Sequence, residues 1–390
     1  MRDVPSNPRT LRRVLLAWGR LHGRQGIPWT LRLDGSRPEG GEPLCAYRVW
    51  IAEVMLQQTQ LRVVRPYWHR WMEVFPSVEV LATADEQQVL LNWQGLGFYR
   101  RARRLHQGAH QLLGPAGAGT DPFPSTLEGW LALPGIGRST AGSILSSAFD
   151  LPYPILDGNV QRVLARLTGC RQPPKRERAA FWRLSESLLD PRRPRAFNQA
   201  LMDLGATVCT PRNPRCGECP WRPHCAAYAA GNPAAYPVKD ASQPLPIQVI
   251  GVGVVLDGGG RVLIDQRLPE GLLGGLWEFP GGKQEPEEPI EATIRRELRE
   301  ELAIEVEVGE ELIVLEHSYS HKRLRFRVHL CRWLAGVPQP LASQQVRWVE
   351  PNALSEHPFP AANTRIIAAL HAWLGGLDNP GHGGQELPSA

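Results

Sequence analysis

Leu133-Pro134-Gly135-Ile136-Gly137-Arg138-Ser139-Thr140-Ala141-Gly142 opens a helix on two glycines, and Asp157-Gly158-Asn159-Val160 follows 18 residues after Ser139. Glycine at 135 and 137 frees two successive turns from Cβ clashes, so the amides of the next helix start can point at a phosphate oxygen. In isolation such a helix start is also an ordinary tight turn. The segments around it decide how it reads.

From residue 11 to about 230 the apolar spacing predicts successive helices, among them 47–61, 156–167, 179–189 and 196–208, with little that looks like strand. A Pro-, Ala- and Ser-rich stretch over 231–246 has neither helical nor strand period and reads as a linker. The pattern then changes. Residues 248–256 and 261–267 alternate as a hairpin, 323–333 forms a further strand, and a strongly charged helix spans 289–302. The second domain is thus expected over 247–375, with a Gly-rich disordered tail over 376–390. No internal repeat is visible.

Charge divides the same way. Residues 1–230 hold 30 Arg and Lys against 18 Asp and Glu, while 231–390 hold 14 against 21. All but Lys175 of the 30 are arginine, which forks onto phosphate oxygens, although a solvated arginine-rich surface reads the same way. No run of about 18 apolar residues occurs, so neither a membrane span nor a signal peptide is expected. The reading is a cytoplasmic, nucleoid-associated monomer.

Four of the seven cysteines form Cys209-x6-Cys216-x2-Cys219-x5-Cys225. Four thiolates in one short loop complete a tetrahedral environment, for zinc or for an iron–sulfur cluster. Upstream, Trp50-Ile-Ala-Glu53-Val-Met-Leu-Gln57-Gln58-Thr59-Gln60 places Glu53 and Gln57 four apart on one helix face. One glutamate there reads equally as a solvated face; three glutamines among apolar neighbours fit that less well.

Together these segments resemble the endonuclease III and MutY superfamily of helix-hairpin-helix glycosylases, and the Glu53 segment resembles the MutY adenine glycosylases almost letter for letter. The resemblance spans roughly 10–375. It implies a multi-domain chain: an all-α helix-hairpin-helix glycosylase over 8–230 with a [4Fe-4S] loop, followed by an α+β Nudix-like domain. By it, Glu53 protonates adenine, ionised Asp157 stabilises the cationic sugar, and Asn159 holds Asp157 in place. Trp29, Gln57, Gln199 and Ser139 fall to substrate binding. Gly135, Gly137, Arg138 and Thr140 fall to the DNA backbone, while Gln58, Phe98 and Tyr99 fall to wedging the unstacked duplex. The family commonly carries Tyr-Tyr where Phe98-Tyr99 stands. The active-site lysine of strand-cutting relatives is replaced by Ser139, which implies a monofunctional enzyme. The family also passes from Trp29 to the next helix in fewer residues, so 31–41 reads as a surface insertion.

In the second domain, Gly282-x5-Glu288-x7-Arg296-Glu297-Leu298-x-Glu300-Glu301-x-Ala303 satisfies the Nudix box except that Ala303 replaces glycine. Helical spacing puts Glu297, Glu300 and Glu301 on one face, where they would hold Mg2+ only if this domain is itself catalytic. Tyr319-Ser320-His321 resembles the loop with which the family touches 8-oxoguanine. The expected partner is double-stranded DNA with A:8-oxoguanine or A:G mismatches, and the alternative is a bifunctional chain that also hydrolyses 8-oxo-dGTP.

Overall fold

The computed structural model describes residues 7–114, 122–238, 240, 246–318 and 322–377. They condense into two compact units, one of residues up to Thr83 and from Arg104 onward to 240, the other of Ala84–Arg103 and the chain from 246. The helices are α1 (Pro8–His22), α2 (Ala46–Leu56), α3 (Leu61–Val74), α4 (Val78–Thr83), α5 (Glu86–Trp93), α6 (Arg100–Leu113) and α7 (Leu127–Leu131). They continue as α8 (Arg138–Phe149), α9 (Gly158–Thr168), α10 (Arg178–Leu188), α11 (Pro194–Asp203), α12 (Ala226–Ala229), α13 (Ile290–Leu302) and α14 (Ala361–Leu377).

In the first unit, α1 begins where the Asn7 side chain accepts from the Arg9 amide, and Leu11, Leu15 and Trp18 recur on its inner face. Val160, Val163, Leu164 and Leu167 of α9 and Phe197, Ala200 and Leu201 of α11 close the same core with Trp221. The indole of Trp221 donates to the Leu11 carbonyl at 3.0 Å, which satisfies its buried N–H. Two expected helices are shorter than their apolar runs. The one predicted over 47–61 stops at Leu56, because Gln58 turns into the left-handed region (φ 61°) before α3 starts. The one predicted over 196–208 stops at Asp203 and widens into a π turn, Leu204–Val208. Wide turns of this kind cluster at functional sites. This one delivers Cys209 to the flank of α9.

The second unit is a mixed sheet between two helices. Its strands are β1 (Ile247–Leu256), β2 (Val262–Arg267), β3 (Trp277–Glu278), β4 (Gly281–Lys283), β5 (Glu305–Ser318), β6 (Arg323–Ala335) and β7 (Ser343–Val349). The order is β3-β2-β1-β6-β5, with β4 paired to β1 and β7 to β2. The expected β1–β2 hairpin is only marginal: the two meet at Leu256 and Val262, after which β2 pairs with β7 and β1 runs parallel to β6. Ile290, Ile294, Leu298 and Leu302 of α13 cover one face, and Phe359, Ala362, Ile366 and Leu370 cover the other.

Segment 84–103, read from sequence as part of the helical domain, belongs to this second unit. The Gln87 amide donates to the Gly275 carbonyl and accepts from the Trp277 indole, each at 3.0 Å. Ala303, the departure from the Nudix box, caps α13 in the left-handed region at φ 57°. An alanine there carries a strain that glycine does not. Ala303→Gly should therefore stabilise the chain by roughly 1 kcal/mol, measured as a rise in the unfolding midpoint of the unit that contains it; an unchanged or lower midpoint would contradict this account.

Candidate active site

Helix α2 is buried along almost its whole length, and Glu53 is the one carboxyl it carries. Burial pushes the Glu53 carboxyl up to about 7; the Asp157 charge adds to the shift, and the Ser143 hydroxyl of α8 opposes it. Asp157 is the N-cap of α9. Its Oδ1 accepts from the Val160 amide at 2.7 Å and its Oδ2 from the Asn159 amide group at 3.3 Å. Burial raises the Asp157 pKa as well, but the Val160 amide, the Arg162 guanidinium and Asn159 all pull it back. The pair therefore differs in kind: several donors favour ionised Asp157, and little besides Ser143 does so for Glu53.

The glycine-rich turn holds this pair in position. The Ser139 hydroxyl accepts from the Leu156 amide at 3.0 Å, next to Asp157. Ser139 thus supports the Asp157 segment rather than facing a substrate. Gly142 lets α8 lie against the same segment, since a Cβ there would stand 2.3 Å from the Pro154 carbonyl oxygen. Gly135 takes φ 80°, as expected of a residue that frees a turn. Gly137 does not: it has φ −97°, and the space its Cβ would occupy is open. Gln57 reaches the Thr140 hydroxyl at 3.2 Å and the Gly135 carbonyl at 3.4 Å, so it braces the hairpin. Arg138 lies over the Trp182 ring at 4.1 Å and pairs with Glu186, and it stays exposed beside the start of α8.

Trp29 is buried against Trp68, with ring centroids 5.5 Å apart. Gln199 lines a cavity of about 440 Å³ with Arg20, Arg24, Thr30, Arg37 and Asp203. Glu53 and Asp157 are not among its lining residues, so the structure brings Gln199 together with the loop after Trp29 and not with the carboxyls. Its amide donates to Asp203, which also accepts from Arg24.

Phe98 is half exposed and left-handed at φ 50°. Tyr99 corrects the sequence reading: it is buried, and its hydroxyl donates to the Phe359 carbonyl at 2.9 Å, so it is not available to DNA. Tyr319, Ser320 and His321 lie outside the described residues. In α13, Arg296 donates to Glu288, Glu297 and Glu300. Burial with Glu297 and Glu278 nearby pushes Glu301 up to about 7.

Sequence reasoning missed Arg162. Its Nη2 donates to Asn159 Oδ1 and the Gly205 carbonyl, each at 2.8 Å, and its Nε donates to the Cys209 carbonyl at 2.8 Å. Its place one helical turn past Asn159 was the available signal.

Residues 51–187 match the HhH-GPD superfamily of base excision DNA repair proteins, 209–225 the iron–sulfur binding domain of endonuclease III, and 251–369 the NUDIX domain. An adenine DNA glycosylase of Mus musculus is 35% identical over 388 residues, covering 86% of this chain and 73% of that protein. The chain belongs to the adenine DNA glycosylase family. A second member, from Buchnera aphidicola of Acyrthosiphon pisum, is 32% identical over 82% of this chain and 85% of its own length, and the human one is 33% identical over 89% and 71%.

The chain is therefore a DNA glycosylase, a hydrolase of base excision repair, with a helical glycosylase domain and a Nudix domain. No helix among the described residues is long and apolar enough to cross a membrane. An iron–sulfur cluster accompanies this family, and the cysteine loop suits one. Arg166 donates to the Cys209 sulfur at 3.3 Å and the Thr210 carbonyl at 2.7 Å, placing positive charge beside a thiolate set. Burial pushes the Cys219 thiol up to about 12, a cost to the thiolate that a bound cation would offset.

Glu53 also sets a stability test. Its folded pKa of about 7 lies above the ordinary 4.5, so stability falls as pH rises from 4.5 through 7, and the cost is complete above 7. Glu53→Gln removes a charge that burial disfavours. Its unfolding midpoint should exceed the parent's at pH 8 and match it near pH 4; a midpoint at or below the parent's at pH 8 would sink this assignment.

Proposed function

We propose that the chain excises adenine paired with 8-oxoguanine or guanine in double-stranded DNA, without cutting the strand. The observation that carries the mechanism is a pair of half-buried carboxyls in unlike surroundings: burial pushes Glu53 up to about 7, while at Asp157 the Val160 amide, Arg162 and Asn159 oppose the same upward push. Neither reaches a stacked base, so adenine is flipped from the helix. Glu53 gives its proton to adenine N7 as the bond from C1′ to N9 breaks, and the bond's electron pair leaves with the base. Asp157 faces the oxocarbenium-like sugar as a carboxylate, kept charged by Val160 and Asn159. Water adds at C1′ and returns a proton to Glu53. Adenine and an abasic site result.

Asn159 is oriented by Arg162 and in turn orients Asp157. The first amides of α8, with Gly137 open in front of them, suit a DNA phosphate. Gln58 and Phe98, both left-handed, stand at the family's stack-filling positions. Tyr319, Ser320 and His321 supply hydrogen-bonding side chains after the Nudix box for reading the oxidised base. Cys209, Cys216, Cys219 and Cys225 would hold a cluster of [4Fe-4S] type, which would fix their loop. Lys175 is the one lysine in residues 1–230, and it is exposed between α9 and α10. That supports hydrolysis rather than Schiff-base chemistry.

Single-turnover excision should run faster from A:8-oxoguanine than from A:G, with a rate that falls as pH rises through 7 and Glu53 loses its proton. Glu53→Gln should cost roughly 10²–10⁴ in rate. A variant at the parent rate, or a borohydride-trapped DNA adduct in high yield, would remove this reading.

A second reading rests on the intact glutamates of α13, where Glu297, Glu300 and Glu301 crowd one another and the buried Asp265 keeps an oxygen without a hydrogen-bond donor. No group of three or more such side chains among the described residues is arranged to hold an ion, so this reading rests on the box spacing, whose glutamates would have to close on a divalent cation that screens a diphosphate's charge during hydrolysis. Under this reading Mg2+-dependent turnover of 8-oxo-dGTP is lost in Glu300→Gln. Absence of turnover in the parent leaves the domain as a reader of the oxidised base.

A further inference from the structure

The loop carrying Phe98 is built to project one ring. Gly95, Gly97 and Phe98 all take positive φ, at 98°, 70° and 50°. The Trp93 indole donates to the Gly97 carbonyl at 3.0 Å, and Arg101 donates to the Leu96 and Gly97 carbonyls at 3.1 and 3.0 Å. Arg101 is itself buried, its guanidinium 5.2 Å from the Trp93 ring and 5.5 Å from that of Phe98. It therefore staples the loop from within.

The stapled loop belongs to the second unit and is fastened to that unit's own core. Residue 359 offers both its backbone groups: its amide donates to the Gln94 side-chain oxygen at 2.8 Å, and its carbonyl accepts from the Tyr99 hydroxyl at 2.9 Å. Gln94 and Tyr99 thus grip the backbone of one residue from both ends of the Phe98 loop. The Phe359 ring is fully buried and stacks on Phe279, with centroids 5.8 Å apart, in the core that also holds Leu315 of β5 and Val328 of β6. Those two strands flank Tyr319, Ser320 and His321 in sequence.

We propose that Tyr99 is a positioning residue that locks the Phe98 ring to the unit that reads the oxidised base, so that base recognition and stack filling occur as one rigid-body event. This rests on the reading of Phe98 as the stack-filling residue and of the second unit as the 8-oxoguanine reader. Its consequence is specificity: rigid coupling converts a correct contact to 8-oxoguanine into correct insertion of Phe98, and a loosened loop loses that conversion while the carboxyl pair stays intact.

The test uses the full chain with its cluster, in the parent, Tyr99→Phe, Gln94→Ala and Phe98→Ala forms. Two quantities are read: the ratio of single-turnover rates on A:8-oxoguanine and A:G duplexes, and the fluorescence of 2-aminopurine placed beside the 8-oxoguanine, which reports stacking. Tyr99→Phe keeps the ring and removes only the hydroxyl, so it should lower the rate ratio about five- to tenfold, the size of one buried hydrogen bond. It should also reduce the stacking signal, with Gln94→Ala matching it. An equal loss on both duplexes would mark Tyr99 as merely structural and overturn the proposal. So would a Tyr99→Phe and a Gln94→Ala indistinguishable from the parent while Phe98→Ala loses the stacking signal; that result leaves the underlying reading standing. Parent-like stacking in Phe98→Ala would overturn that reading, and the proposal with it.

Discussion

A carboxylate kept charged away from bulk water has to be met by donors aimed at it, and Asp157 imposes that requirement on the first unit. As the N-cap of α9 it takes one donor from the helix backbone and one from Asn159. Asn159 has to be held in turn, and Arg162 does so while spending its other N–H groups on the Gly205 and Cys209 carbonyls. The π turn after α11 is what brings those carbonyls within reach, and Gly205 packs so close to Asn159 that a Cβ would stand 2.9 Å from the asparagine's own. The Asp157 carboxyl, the start of α9 and the cysteine loop thus share one guanidinium. The loop is then more than a metal site placed beside an active site, because its backbone completes the hydrogen bonding on which the Asp157 charge depends.

What the sequence made legible was local. The cysteine spacing, the glycine turn with Asp157, Glu53 in its helix and the glutamate face of α13 all lie within short windows, where spacing alone fixes which side chains meet. Arg162 was equally local but unremarkable among many arginines. The roles that were misread depend on distant partners. Tyr99 looked like half of an aromatic wedge, yet its hydroxyl partner lies 260 residues away, and no pattern near Phe98 announces it. Arg138, expected from its helix start as a phosphate contact, has further partners out of sequence range, Trp182 and Glu186 on α10. The strands that escaped notice have a similar cause. Glutamates interrupt β5, β7 opens on the polar run Ser343-Gln344-Gln345, and β3 and β4 are too short to show a period of two.

The charge division survives the structure, although for a reason that residue counts conceal. Several arginines of the first unit spend their guanidinium groups inside the fold: Arg162, Arg166 and Arg195 are buried or half-buried and donate to backbone carbonyls. Other arginines meet carboxylates, as Arg24 meets Asp203 and Arg193 meets Asp190 in the first unit, and Arg267 meets Glu278, Arg299 meets Glu305, Arg325 meets Glu316 and Arg327 meets Glu311 in the second. The difference matters for long-range attraction. A guanidinium satisfied by carbonyl oxygens keeps its net charge, and that charge still contributes to the field a polyanion feels. One paired with a carboxylate is cancelled at any distance much larger than the pair. The helical unit therefore draws DNA even through arginines that never touch it. The Nudix unit, with its cross-strand ion pairs, adds little to that pull and is left to act by short-range contact.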